Sequence, residues 1–158
     1  MGQGDGVGEL ERVVGYVLKQ AATALRASMD AELRPLGLTV PQYACLELLG
    51  RHPGMSSSEL ARGAFVSRQA MNQVLRGLQE RGLLTRPPSI EHGRALPTEL
   101  TPDGERTLRD AHSAVADVER QMLMPLTPAR QRQLRDDLAA CAAALATKPQ
   151  QRGQIDPG

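Results

Sequence analysis

The most constraining feature of the sequence is the segment from Ser67 to Gly82, which has two chemically different sides. Apolar residues recur along it at a spacing of three and four, as in a helix with one buried face. Ser67 fits the helix N-cap, and Gly82 fits the residue just beyond the helix end. The predicted buried positions are Ala70, Met71, Val74, Leu75 and Leu78, and the opposite, polar face carries Arg68, Gln69, Asn72, Gln73 and Arg76.

The segments on either side of this helix predict a winged helix-turn-helix. A short helix capped by Ser56 or Ser57 comes first, with Glu59 at the capping-box position if Ser56 is the cap. Residues 63–66 then form the turn. After Gly82, residues 83–86 and 98–100 are predicted to be the two strands of a hairpin, joined by a polar, turn-rich loop.

The polar face of the helix has the chemistry that reads base edges in double-stranded DNA. Arg pairs with guanine at two atoms, and Asn and Gln do the same with adenine. Positions 69, 72, 73 and 76 share one helix face because of their spacing. Ser67 and the amino end of the helix suit a phosphate. The alternative is an ordinary solvated polar face. The predicted short helix before this segment and the hairpin after it favour the DNA-reading interpretation.

Two arginines of the hairpin are further candidates for DNA contacts. Arg94 lies near the predicted loop tip beside Gly93, where an arginine suits the negative potential of a narrow minor groove. Arg86, at the hairpin base, fits a phosphate contact, but a plain surface charge explains it equally well.

The remaining helices predict a second, helical region. An amphipathic pattern runs from Glu9 to about Arg34, Thr39 caps a second helix, and two more helices follow Thr101 and Thr127. The first helix and the last two helices carry apolar stripes that are too wide for one small lobe to cover, which favours a homodimer. The predicted fold is mainly α with a small β-hairpin wing. Its parts are a disordered tail at 1–8, a helical dimerisation region at 9–36 and 102–147, a winged helix-turn-helix domain at 38–101 and a second tail at 148–158.

Composition narrows the function classes. The formal net charge is +1, so a DNA-binding hypothesis depends on where the charges lie. Few aromatics are present to stack single-stranded bases. No apolar run is long enough for a membrane span, and the two distant cysteines favour a cytoplasmic protein. The three histidines lack ligand spacing, so we expect no metal and no cofactor.

The order of the motifs resembles the MarR family of bacterial transcriptional regulators from about Glu9 to Leu145. The resemblance implies a homodimer that binds a pseudo-palindromic operator, with repression relieved by a small aromatic acid or phenolic ligand. One departure concerns the wing, where His92 occupies the usual acidic position and Glu91 lies one residue earlier. The segments that carry the resemblance are residues 38–43, 53–54, 58–61, 66–70, 78–86, 93–94 and 100–104.

The resemblance also directs attention to an effector site between the dimerisation helices and the DNA-binding lobe. Tyr43 is the leading candidate there, followed by Tyr16 and Met29, with Arg26 as a partner for a carboxylate. Tyr43 is equally well explained as a core residue. Some relatives sense peroxides through a cysteine at the amino end of the first helix, which this chain lacks, so structural roles are expected for Cys45 and Cys141.

Two other function classes fit the sequence less well. An enzyme needs a nucleophile with a base, or paired carboxylates in a cleft. The serines at 56–58 are explained by helix capping, and Asp136 and Asp137 lie on an exposed helical face, so no enzyme is expected. The alternative function is a winged-helix module that contacts proteins without sequence-specific DNA binding.

Overall fold

A computed structural model describes residues 5–86 and 97–146. It is mainly helical, with one small antiparallel hairpin, which confirms the predicted fold class. The helices are α1 (Asp5–Leu10), α2 (Val14–Leu33), α3 (Val40–Arg51), α4 (Ser57–Gly63), α5 (Arg68–Glu80), α6 (Pro102–Leu123) and α7 (Pro128–Ala146), a 3-10 turn at Arg34–Leu36 follows α2, and the strands are β1 (Leu84–Thr85) and β2 (Glu99–Leu100).

The amino-terminal helix differs from its prediction. One helix was expected from Glu9, whereas the chain forms α1 and α2 with a break at residues 11–13. At the break, Val13 is extended, with φ −90° and ψ 116°. Periodicity did not reveal the break because Leu10, Val13 and Val14 keep the helical spacing across it. The predicted tail at 1–8 is also wrong in part, since Asp5 to Gly8 are helical.

The helix starts follow the predicted local chemistry. Thr39 accepts a hydrogen bond from the Gln42 amide while the Gln42 side chain accepts one from the Thr39 amide, which confirms the capping box of α3. Ser56 and Glu59 make the same reciprocal pair at α4. Each pair satisfies two backbone amides that the first helical turn leaves open. The starts of α3 and α4 are therefore determined by a few neighbouring residues.

The strands of the hairpin are shorter than predicted. They pair Leu84 with Leu100 and Thr85 with Glu99. Buried Leu84 anchors the pair to the core, which also packs against Leu100. The loop with Glu91, His92 and Arg94 lies outside the described residues.

The chain divides into two compact units, residues 1–120 and 121–158. The core of the first unit joins buried residues of α3, α4 and α5 to Leu33 of α2, Leu84 of β1 and Ala111 of α6. In the second unit, the Gln131 side chain donates hydrogen bonds to the carbonyls of Leu123 and Leu126 and so closes the turn before α7. The apolar stripe of α7 is exposed in this chain; its residues are Leu134, Leu138, Cys141, Ala142 and Leu145.

Candidate nucleic-acid interface

Helix α5 is held on the core by three fully buried side chains, Met71, Leu75 and Leu78. Ala70 and Val74, which were also predicted to be buried, are only partly so. Burying a large apolar side chain contributes about 1.5–3 kcal/mol, so these contacts determine which side of α5 faces outward. We call this element the recognition helix.

Both ends of the recognition helix have strong local caps. At its start, the Ser67 hydroxyl accepts a hydrogen bond from the Ala70 amide at 3.1 Å. At its end, the amide of Leu83 donates to the Leu78 carbonyl and that of Gly82 to the Gln79 carbonyl. This pair of bonds is a Schellman motif, and Gly82 adopts the left-handed φ of +71° that the motif requires. The sequence prediction of both ends is confirmed.

Arg81 ties the end of the recognition helix to a distant part of the chain. Its guanidinium donates to the carbonyl of Gly37 at 2.6 Å and lies 3.5 Å from that of Leu36. Gly37 has a φ of +69° in the turn after α2. This positioning residue was not predicted from the sequence, since no local pattern connects residues 44 positions apart.

Thr101 and Gly104 connect the hairpin base to the recognition helix. The Thr101 hydroxyl donates to the Gly82 carbonyl at 2.6 Å and accepts from the Gly104 amide at 3.1 Å, so it also caps α6. Gly104 is buried, and a Cβ there would overlap the carbonyl oxygen of Leu83. The close backbone approach leaves room only for glycine.

The predicted base-reading side chains lie together on the outer side of the recognition helix. Gln69, Gln73 and Arg76 are exposed, and Asn72 is half-buried. Among the residues that the structure describes, these four side chains have no hydrogen bond or ion pair within the chain. Arg68 is also exposed, but its guanidinium donates to the Ser58 hydroxyl at 2.7 Å, which directs it toward α4. The four remaining polar groups are thus available to an external partner.

Arg86 is partly buried just beyond β1, close enough to Cys45 to affect its pKa. Burial raises the pKa of the Cys45 thiol to about 12, and the charge of Arg86 offsets part of that rise. The thiol is fully buried and therefore stays protonated at neutral pH, a poor state for peroxide chemistry.

The predicted effector residues fall into three places. Arg26 and Met29 line a cavity of about 310 Å³, which we call the Arg26 cavity. Tyr43 belongs instead to the core, where it is 8% exposed, and Tyr16 is half-exposed on α2 outside the cavity. Burial, followed by the charge of Glu47, raises the pKa of Tyr43 to about 12. The other cavity-lining residues are Ala22, Leu25, Val40, Pro41, Ala64, Phe65 and Val66.

A second hollow of about 430 Å³ lies between α3, β2 and the start of α6. Its lining includes Arg109 but also the carboxylates of Glu99 and Glu105. Two acidic side chains disfavour an anionic ligand there, whereas the Arg26 cavity combines one cation with apolar walls.

Among the described residues, no cluster of three or more potential metal ligands is present. Likewise, no helix within the described ranges is long and apolar enough to cross a membrane.

A short helix, a turn, a core-anchored recognition helix with a free polar face, and a hairpin define a winged helix-turn-helix. A model of the MarR family matches residues 36–95. The HTH-type transcriptional repressor Rv2887 of Mycobacterium tuberculosis is 43% identical over 122 residues, which cover 77% of this chain and 88% of the relative. The chain belongs to the MarR family of transcriptional regulators.

Solved structures of that relative match the fold. Its complex with salicylic acid aligns with a TM-score of 0.68 and 41% identity, covering 81% of this chain and 95% of the other. Its complex with DNA aligns with a TM-score of 0.68 and 39% identity, covering 81% and 96%.

Proposed function

We propose that this protein is a ligand-responsive transcriptional repressor that binds a pseudo-palindromic operator in double-stranded DNA. The observation that carries the proposal is the outer side of the recognition helix. Gln69, Asn72, Gln73 and Arg76 share one side of a helix held on the core, and they have no partner within the described chain. The complex of the Rv2887 relative with DNA supports the same conclusion.

In the proposed mechanism, the recognition helix enters the major groove. There the side-chain amides of Gln69, Asn72 and Gln73 and the guanidinium of Arg76 contact base edges. Each good bidentate pair contributes about 1–3 kcal/mol of discrimination against a wrong base. Ser67 and Arg86 contact phosphate and hold the helix in register. Arg94, outside the described residues, is proposed to contact the minor groove as the wing residue.

We also propose that the protein acts as a homodimer through residues 9–36 and 102–147, with residues 38–101 as the DNA-binding domain. Exposed apolar side chains on both regions support this, including Val14 at 77% and Leu145 at 75% exposure. A twofold dimer places two recognition helices about 34 Å apart, one turn of DNA.

The proposed effector is a small aromatic acid bound in the Arg26 cavity. The cavity volume lies at the low end of the range for small-molecule sites, and Arg26 supplies a cation for a carboxylate. The salicylic acid complex of the Rv2887 relative supports this ligand class. Binding there, beside the turn before the recognition helix, is proposed to weaken operator binding.

The decisive experiment is selection of bound sequences from random DNA, followed by titration of the selected site. We expect wild-type protein to prefer a palindromic site, with affinity that falls as salt increases. The double variant Asn72→Ala, Gln73→Ala should lose sequence preference while remaining a dimer in sedimentation. Gln79→Ala, an exposed amide in the last turn of the same helix and not one of the four predicted base-reading side chains, is the matched control and should retain the preference.

Failure to select any sequence, with no salt-sensitive DNA binding by the wild-type protein, would contradict the DNA-binding part of the proposal. A winged-helix module for protein contacts would then be the better hypothesis. Adding salicylate to the same titration tests the effector part separately, because DNA binding that does not respond contradicts that part alone.

A further inference from the structure

Phe65 is the most unusual residue of the helix-turn-helix. It lies in the turn between α4 and α5 with a φ of +57°, the only non-glycine residue with positive φ in the described part of the chain. Bulky side chains rarely adopt this conformation, and such turns often contain glycine instead. The conformation itself closes α4, because the amides of Val66 and Phe65 donate to the carbonyls of Ala61 and Arg62 in the Schellman pattern that is also formed at Gly82. What needs a reason is that this left-handed position holds a phenylalanine.

The side chain of Phe65 offers no packing reason for the residue. It is 95% exposed, and it is absent from the core to which the neighbouring Val66 contributes. An exposed phenylalanine therefore combines backbone strain with unburied apolar surface. Phe65 is, however, one of the residues that line the Arg26 cavity.

The cavity has the composition of a site for an aromatic anion. Among the described residues that line it, Arg26 is the one that carries a charge, Leu25 and Met29 are apolar residues of α2, and Phe65 is the one aromatic residue. A phenyl ring favours another ring through offset or edge-to-face packing. A carboxylate paired with Arg26 and a ring packed on Phe65 fit one ligand with both groups.

The position of Phe65 in the chain also links the cavity to the recognition helix. The turn is hydrogen-bonded to α4, with the Phe65 amide donating to the Arg62 carbonyl and the Val66 amide to that of Ala61. Ser67, the N-cap of α5, comes two residues later. A change in the backbone of residue 65 therefore acts directly on the amino end of the recognition helix.

We propose that Phe65 is the aromatic specificity residue of the effector site and the element through which ligand binding alters the recognition helix. The proposal rests on the proposed effector function and adds the residue that selects the ring and transmits its binding. Arg26 alone would accept any small carboxylate. Phe65 is what favours an aromatic one.

The test compares two acids that differ in the ring, salicylate and its saturated analogue 2-hydroxycyclohexanecarboxylate, by titration calorimetry. Wild-type protein should prefer salicylate. Phe65→Leu should narrow that preference about three- to tenfold, the range of one aromatic pair, while Phe65→Tyr should retain it. Gln79→Ala, at an exposed position outside the cavity, is the control and should leave the preference as in the wild type.

The transmitting role is tested with Phe65→Gly, which removes the ring and suits the positive φ. In the wild type, saturating salicylate should weaken binding to the selected operator. The ratio of operator affinities with and without salicylate should approach one in Phe65→Gly. Linkage requires the same ratio when salicylate is titrated with and without operator, which checks the measurement.

An unchanged ring preference in Phe65→Leu overturns the proposal and leaves the effector site itself intact. A change in the dimer dissociation constant in all Phe65 variants also overturns it, because the ring would then be a contact with a second copy of the chain. Wild-type protein that binds operator but neither acid overturns this proposal together with the effector part of the proposed function. Absence of operator binding contradicts the proposed function, while the comparison of acids still tests Phe65.

Discussion

Single residues outside the caps also hold the recognition helix in position. Gly104 allows α6 to approach the backbone of Leu83, and Arg81 binds the carbonyl of Gly37. Neither residue is on the proposed DNA-contacting face. Changes at such positions are therefore expected to affect stability first and DNA binding only as a consequence.

Gly104→Ala should destabilise the fold by about 1–3 kcal/mol, the usual cost of overpacking a close contact. The added Cβ would overlap the Leu83 carbonyl, and backbone does not move aside as a flexible side chain does. Urea unfolding gives the free energy directly. Gly15→Ala in α2, where a Cβ meets nothing within 4 Å, is the control and should be neutral or slightly stabilising. Equal stability of the two variants would contradict the contact.

The raised pKa of Tyr43 predicts a loss of folding stability at alkaline pH. Its hydroxyl has a pKa of about 12 in the folded chain, against 10.0 for the free side chain. Between these values the unfolded state releases the proton and the folded state keeps it, so folding weakens as pH rises through this window.

Tyr43→Phe should flatten the decline of the unfolding free energy between about pH 10 and about pH 12. The change in slope should be at most about 1.4 kcal/mol per pH unit, the value for one proton. Urea unfolding across this range measures it. Part of the decline should persist because Cys45 also has a raised pKa. Identical slopes would show that Tyr43 ionises equally in both states.

At the scale of elements, the ends of the recognition helix depend on local contacts, whereas its orientation depends on long-range contacts. Its N-cap and Schellman motif use residues within five positions of each other. Its orientation depends on side chains that meet α3, α4 and β1. Ser67 has two roles: it caps the helix, and it is proposed to contact phosphate.

Substitutions at Ser67 separate those two roles. Ser67→Ala should lose about 1 kcal/mol of stability with the cap. Ser67→Asp should keep the cap and the stability, but its carboxylate should weaken binding to all DNA sequences about tenfold or more by repelling phosphate. Thermal unfolding and DNA titrations measure the two effects. Undiminished DNA affinity in Ser67→Asp would refute the phosphate contact while leaving the cap in place.

At the scale of the whole molecule, the single chain leaves much apolar surface in solvent. Leu10, Val13, Val14, Val17 and Leu18 are 42–77% exposed along α1, α2 and the break between them. Met122, Met124, Leu134, Leu138 and Leu145 are 37–76% exposed along α6, α7 and the turn between them. Surfaces of this kind mark sites of association.

The variant Val14→Glu, Leu145→Glu should dissociate the proposed dimer. Both side chains are already exposed in the single chain, so the charges should change its own folding little, whereas burying them between two copies is costly. Sedimentation should show a monomer that binds operator much more weakly. Gln20→Glu, which adds a charge at an exposed polar site of α2, should remain a dimer. A dimer that survives the double substitution would place the interface elsewhere.

Local sequence chemistry was sufficient to predict most helix ends and the polar face of α5. Thr39, Ser56, Ser67 and Gly82 act on backbone groups a few residues away, so their effect is visible in the sequence itself. The break at residues 11–13 escaped prediction because apolar spacing continues through it. Capping residues, the spacing of apolar residues and the positions of charged residues therefore determined which segments are helical and which face is polar.

Only the tertiary structure decided what distant residues do together. It placed Tyr43 in the core and Arg26 and Met29 at the cavity, and it showed that Phe65 also belongs to the cavity lining. It also brought Arg81 to Gly37. Such contacts arise from packing between elements far apart in the chain, which no periodicity or cap encodes. The sequence by itself determined the elements and the character of their surfaces, while packing determined which residues share a site.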